Sequence, residues 1–482
     1  MSNATIQELR RAIIEALPSD TSIHGKIPER KAVYVPPSHL RALRSECYLV
    51  IGWCGVGKTF WSRALASAKI RRMIGHSVSE LAKAEVHPGF GEAPNLDFYP
   101  DSRVFDSLVQ RFKAYDVWQA VLARWVAEVL SEEIPHGSWK ETTEWIMNRP
   151  EPFARMLERV NARFEEKRKI GMIVFDALDR VSFDWQTMDD IVRDLLRVVL
   201  SLKGFSNLHA KIFLREDQFD GRRVTDFPDA SKLLATRVEL TWSPQDLHGL
   251  LWQHLCNGDG NPGEILRDTY EKATGSSPPQ PVEGVWTISD PVKRDTETQR
   301  ALFTEIAGER MGRDHRRGVP YIWTVGYLAD GRGRTSPRSF LAAIRGAAED
   351  SRDRYPDYRY PLHYESIKRG VQKASEIRVS ELAEDYPWVR TVMGPLHGLS
   401  VPCGFDIIEQ RWKEKWGKSM PDMQPGLPPE HHEQGWVGIR QDLEGLGIFQ
   451  PMRDGRVNMP DLYRVGFGLG RRGGVKPVVR KS

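Results

Sequence analysis

Eight residues, Gly52-Trp53-Cys54-Gly55-Val56-Gly57-Lys58-Thr59, carry the clearest chemistry in the chain. They fit the phosphate-binding P-loop pattern: a glycine, four residues, then Gly-Lys-Ser/Thr. Gly52, Gly55 and Gly57 allow the tight turns that aim backbone N–H groups at phosphate oxygens, with Val56 held between the last two. A helix starting near Lys58 adds unpaired N–H groups and the positive end of its dipole. Lys58 is expected to reach the β- and γ-phosphates of ATP, and the Thr59 hydroxyl to hold Mg²⁺. Trp53 and Cys54 fill free positions of the motif, and Trp53 reads as a packed aromatic.

A metal held by a hydroxyl needs an anionic partner. Met172-Ile173-Val174-Phe175 is a continuous apolar run ending in Asp176. That is the form of a Walker B strand, whose terminal carboxylate holds Mg²⁺ through water across from Thr59. Hydrolysis also needs a group that orients or deprotonates the attacking water. Many P-loop ATPases carry that acid directly after the Walker B aspartate, where this chain has Ala177. Asp179 can supply the carboxylate if the strand ends in a sharp turn; otherwise Asp179-Arg180 is a structural turn. Arg215 ends a further strand, where it can sense the γ-phosphate or merely cap the next turn. Arg338 follows Pro337 at the head of a helix, a position from which a lid arginine can reach the γ-phosphate. Arg332 and Arg334 stand behind it as further candidates, with a solvated surface arginine as the plain alternative.

These residues must be positioned by strands and helices. Cys47 to Ile51 reads as a buried strand before the glycine loop, and Phe60, Trp61, Ala64 and Leu65 repeat at helical spacing after it. Further strands are expected at Met172 to Phe175, Lys211 to Leu214 and Val238 to Thr241. Helices are expected at Ser107 to Glu132, Pro152 to Arg168, Ile191 to Leu202 and Pro244 to Leu255. The alternation implies an α/β fold with a parallel P-loop NTPase sheet covered on both faces. His87 to Asp101, rich in Gly and Pro, is expected to be a loop.

At 482 residues, two to four domains are expected. The division is a helical extension over 1–45, a P-loop core over 46–245, a helical lid with a loop-rich insertion over 246–350, and a helical region over 351–482. The last part ends in a helix at Val437 to Leu446 and an Asp454-Gly455 hairpin signal, the back half of a winged helix. Arg471, Arg472, Lys476, Arg480 and Lys481 form a basic tail that can contact DNA phosphates.

Four cysteines without CxxC spacing argue against a zinc site or a disulfide framework and suit a reduced, cytoplasmic setting. Met1 to Ala16 reads as an amphipathic helix rather than a signal peptide, and no apolar run is long enough for a membrane span. His431-His432 lacks a third ligand in the sequence, so no metal site is expected there.

Asp176-Ala177-Leu178-Asp179-Arg180 resembles the Asp-x-Leu-Asp-Arg signature of KAP-type ATPases in the STAND/AAA+ lineage. The P-loop, the Arg215 strand end, Trp242-Ser243-Pro244 and Pro337-Arg338 match in the same order, over about 46–350. The resemblance implies a five-stranded parallel sheet, a helical lid and a winged-helix domain. Ala177 departs from it, because KAP proteins often carry a second acid there, and the membrane segments of some members are absent. The function so implied is an Mg-ATP-driven conformational switch that controls assembly with a partner protein, in bacterial antiphage defence. The lineage also forms rings or ligand-triggered assemblies, so a homo-oligomer belongs to the same expectation. Two alternatives stand beside it. The winged helix and basic tail suggest a DNA-binding AAA+ ATPase of the initiator or transposition-regulator type. Ala177 suggests a scaffold that holds ATP without hydrolysing it.

Overall fold

Five apolar runs pair into one parallel sheet. The strands are β1 (Leu49–Ile51), β2 (Ala84–Phe90), β3 (Ile170–Phe175), β4 (Leu208–Leu214) and β5 (Val238–Glu239), in the order β2-β3-β4-β1-β5. All four pairings are parallel, so each strand must be reached by a crossover, which helices supply. β1 and the last five residues of β3 are buried throughout, as expected of strands covered on both faces. A computed structural model describes residues 3–19, 26–182, 184–219, 222–279, 281–312, 317–418 and 427–471. The chain divides into two compact units, Ile23–Thr241 and Met1–Ser22 with Trp242–Ser482.

The sheet lies wholly in the Ile23–Thr241 unit. β2 corrects the reading of His87 to Asp101 as a loop throughout. Pro88 sits in it opposite Val174, and the register shifts before Phe90. β2 is an edge strand, where a residue without an N–H is tolerated because one side has no partner. The single long helix expected at Ser107 to Glu132 is two helices, Ser102–Val109 and Ala114–Leu130. Asp101 caps the first, accepting from Val104 N at 2.8 Å. Trp118 of the second is buried among Phe90, Phe105 and Phe175, and donates to Ile191 O at 3.1 Å. That aromatic cluster fixes the ends of β2 and β3 against their covering helix.

Lys211 is fully buried in β4. Its ammonium donates to the carbonyls of Ala42 (2.7 Å), Arg44 (3.0 Å) and Cys47 (2.7 Å), just ahead of β1.

The second unit is largely helical. Its first helix, Asn3–Ala16, is amphipathic and packs with the Gly260–Thr274 and Pro337–Arg354 helices. Buried Arg10 donates to the carbonyls of Pro356 and Pro361, both at 2.8 Å, and to those of Tyr358 and Tyr360. The Gly260–Thr274 helix corrects the reading of 256–285 as a loop-rich insertion. Gly260, Asn261 and Pro262 occupy its first turn, where glycine and proline are tolerated. Later come the helices Pro387–Met393, Phe405–Trp416 and Gly435–Gly445, then an antiparallel hairpin of β6 (Gln450–Pro451) and β7 (Val457–Asn458). Cys403 adds a third backbone rung, exchanging hydrogen bonds with Val457 at 3.1 and 2.8 Å.

Candidate nucleotide site

The P-loop connects β1 to the Lys58–Ala66 helix. Gly52 N donates to Leu214 O at 3.0 Å, which fixes the loop's start against β4. Gly55 and Gly57 have φ of +81° and +105°, a region costly for any residue with a β carbon. Val56 between them is buried, as is Trp53. Gly57 precedes the helix and no side chain caps its start. Lys58 folds back over its own loop, and its Nζ donates to Gly52 O at 2.8 Å and Trp53 O at 3.0 Å. Desolvation pushes its pKa down, opposed by Cys54, Asp179 and Asp176.

The helix itself is anchored from behind. Trp61 Nε1 donates to His39 Nδ1 at 3.0 Å, and His39 Nε2 donates to Thr241 O at 2.9 Å. His39 is wholly buried, and desolvation lowers its pKa to about 4, so the ring is neutral and fits this donor–acceptor role.

Thr59 and Asp176 are brought together, and the Thr59 hydroxyl acts to lower the Asp176 pKa. Asp176 is buried, and burial pushes its pKa up to about 6 against the hydrogen bonds from Thr59 and the Ala177 backbone. Its N–H donates to Phe90 O at 3.1 Å, so β2 holds the end of β3. Ala177 then takes φ +57°, ψ +33°, a left-handed conformation that costs a non-glycine residue about 1 kcal/mol. This is the sharp turn on which the reading of Asp179 depended.

Asp179 stands close enough to act electrostatically on Lys58 and Asp176. One of its oxygens accepts from Arg215 Nη1 at 3.3 Å. Arg215 is buried at the end of β4 and also grips Asp217 in bidentate fashion, Nε to Oδ1 at 3.0 Å and Nη2 to Oδ2. Gly52 to Thr59, Asp176, Asp179 and Arg215 thus gather at the carboxyl ends of β1, β3 and β4.

Arg338 belongs to the other unit. It heads the Pro337–Arg354 helix as expected, and its Nη1 is 2.8 Å from Glu381 Oε1. Arg334 is 3.1 Å from buried Asp330, which also accepts from the Arg332 N–H. Each of these interactions stays within that unit.

Three residues around the end of β2 and the P-loop helix escaped the sequence reading. Arg63 lies one turn after Thr59, and its buried Nε and Nη2 have no hydrogen-bond partner among the described residues. Tyr99 feels the charges of both Arg63 and Asp176. Glu92, just past β2, is 2.8 Å from Arg180. Taking His87 to Asp101 for a loop removed the reason to look there. The signal available was the Ala84 to Phe90 stretch leading to the same sheet edge.

Elsewhere, His431 gains the companions that spacing did not supply. Glu430, His431 and Asp442 present ligand atoms within 4.8 Å of one another. His431 Nδ1 and Asp442 Oδ1, 2.6 Å apart, already form a hydrogen-bonded pair. Of the basic tail, Arg471 is 3.5 Å from Asp461, while Arg472, Lys476, Arg480 and Lys481 lie outside the described residues.

A five-stranded parallel sheet with this glycine loop after β1 and a buried aspartate after β3 is the α/β fold of P-loop NTPases. No protein-family model and no curated protein matches the chain. Among solved structures it is similar to Cdc6p from Pyrobaculum aerophilum, at 12% identity over 97% of this chain and 96% of that one, with a TM-score of 0.30. It is also similar to the Aeropyrum pernix ORC2 protein in two states. The ADPNP-ADP complexes match at 13% identity over 91% and 98% of the chains (TM-score 0.30). The ADP form matches at 13% over 90% and 93% (TM-score 0.32). At those scores the likeness carries no functional argument. Among the described residues, no helix is long and apolar enough to cross a membrane.

Proposed function

We propose that this protein binds Mg-ATP at the P-loop and hydrolyses it as a conformational switch. The observation that carries this reading is the convergence of Thr59, Lys58 and buried Asp176 at the head of an uncapped helix. A buried carboxylate pushed up to about 6 is short of positive charge, and a divalent cation supplies it. Mg²⁺ held there neutralises charge on the phosphates. Lys58 leaves its two loop carbonyls for the β- and γ-phosphates, while the backbone N–H groups of Gly55, Val56 and Gly57 cradle them. Arg215 lies at the same edge, where it can respond to the γ-phosphate. Arg338 heads a helix of the other unit, where it is paired with Glu381.

Phosphate release by the wild type and by Asp176→Ala tests hydrolysis. Turnover in the wild type that falls at least about 100-fold in the variant supports the switch. ATP binding without turnover in either protein supports the scaffold reading suggested by Ala177.

A DNA-binding ATPase is the second reading. Three short helices followed by a hairpin, with the Cys403 rung, support a winged helix. The outward face of its Gly435–Gly445 helix carries Val437 and Gln441, however, and its Arg440 is paired with Glu444 and stacked over Phe405. That face has little to offer phosphates and suits a protein partner better. Antiphage defence, assembly with an effector, self-association and a cytoplasmic setting rest on the family resemblance and on composition.

A further inference from the structure

Ala177 leaves the site without an acid directly after Asp176, and the segment that follows β2 carries one, Glu92. The β2–β3 ladder ends at Phe90 and Phe175, and Asp176 N closes it on Phe90 O at 3.1 Å. Glu92 lies two residues past Phe90 and Ala177 one past Asp176, so both segments leave the ladder at the same end. The ion pair of Arg180 with Glu92, at 2.8 Å, holds the two segments together beyond the ladder.

Two carboxylates follow the ends of β2 and β3, and they are held differently. Asp179 is bound by Arg215, whose side chain is only 8% exposed and which also binds Asp217. Freeing Asp179 disturbs a buried charge network. Glu92 is bound by Arg180, whose side chain is 58% exposed, so that pair is screened and readily exchanged. Glu92 itself is 28% exposed and open to water.

The Glu92 side also has unspent donors. A β carbon on Gly91 would lie 3.3 Å from the Tyr99 hydroxyl and 3.8 Å from Arg63 Nη2. Arg63 Nε and Nη2 have no hydrogen-bond partner among the described residues, and a water or a phosphate oxygen is what satisfies such donors.

We propose that Glu92 is the catalytic base that activates the attacking water, in place of the acid missing after Asp176. The proposal rests on ATP being the substrate of the P-loop site. In the step, the water oxygen forms a bond to the γ-phosphorus. The bond from that phosphorus to the bridging oxygen breaks, and its electron pair leaves with ADP. A water proton passes to the Glu92 carboxylate, and the products are ADP and inorganic phosphate.

The test uses the full chain and two readouts, affinity for a fluorescent ATP analogue and phosphate release. Glu92→Gln is expected to lower kcat about 100-fold or more while affinity stays within about threefold. Glu92→Asp retains more activity than Glu92→Gln, because it keeps the carboxylate. Wild-type turnover by Glu92→Gln overturns the proposal. A wild type that binds ATP but releases no phosphate also overturns it, leaving nucleotide binding intact. A wild type that does not bind ATP overturns both readings.

Discussion

Single residues here carry unusual electrostatic loads, and Lys211 is the clearest. It is a cation with no exposed surface, held by three backbone carbonyls at 2.7 to 3.0 Å. Desolvation lowers its pKa from 10.5 to about 8. Between those values the unfolded chain binds more protons than the folded one, so stability rises with pH across that window. The slope contributed by this one group is at most about 1.4 kcal/mol per pH unit. Urea unfolding followed from pH 7.5 to 10.5 should show that rise, and Lys211→Met should flatten it. A difference between the two proteins that stays constant with pH counts against the assignment. Asp176 and Arg215 follow the same logic at the site, one buried acid whose pKa burial raises and one buried cation that shares two acids.

At the scale of elements, the Asn3–Ala16 helix is bolted to its unit by Arg10, which serves four carbonyls. Arg10→Ala leaves those carbonyls without their charged donor, at a cost of about 2–4 kcal/mol. The thermal transition of that unit should fall by several degrees while ATP affinity stays within about twofold. An unchanged transition would mean the helix contributes little to stability. The elements around the P-loop were legible in the sequence where pattern and chemistry coincide. β1, the glycine loop and the Lys58 helix, β3 with Asp176, and β4 with Arg215 all stand where apolar runs and their polar ends indicated. β2 was not legible, because Pro88 and Gly89 are breakers except on an edge strand, and only the fold makes Ala84–Phe90 an edge. The Gly260–Thr274 helix was missed for a related reason, since its glycines and proline sit in the first turn. Glu92 was missed with β2, whose Ala84–Phe90 stretch was the signal that led to it.

Over the whole molecule, the chain forms two compact units, and the first 22 residues join the one built from Trp242–Ser482. Every proposed nucleotide contact except Arg338 belongs to Ile23–Thr241, so nucleotide affinity should reside mainly in that unit. The account stands or falls on whether ATP binds at the loop between β1 and the Lys58–Ala66 helix. Titrating full-length wild type and Lys58→Ala with ATP and Mg²⁺ by calorimetry decides it most directly. Loss of a charge-assisted contact of about 1.5–3 kcal/mol corresponds to an affinity about 10- to 100-fold weaker in the variant, which is the result expected. Equal affinity in the two proteins, or no binding by the wild type, would contradict it.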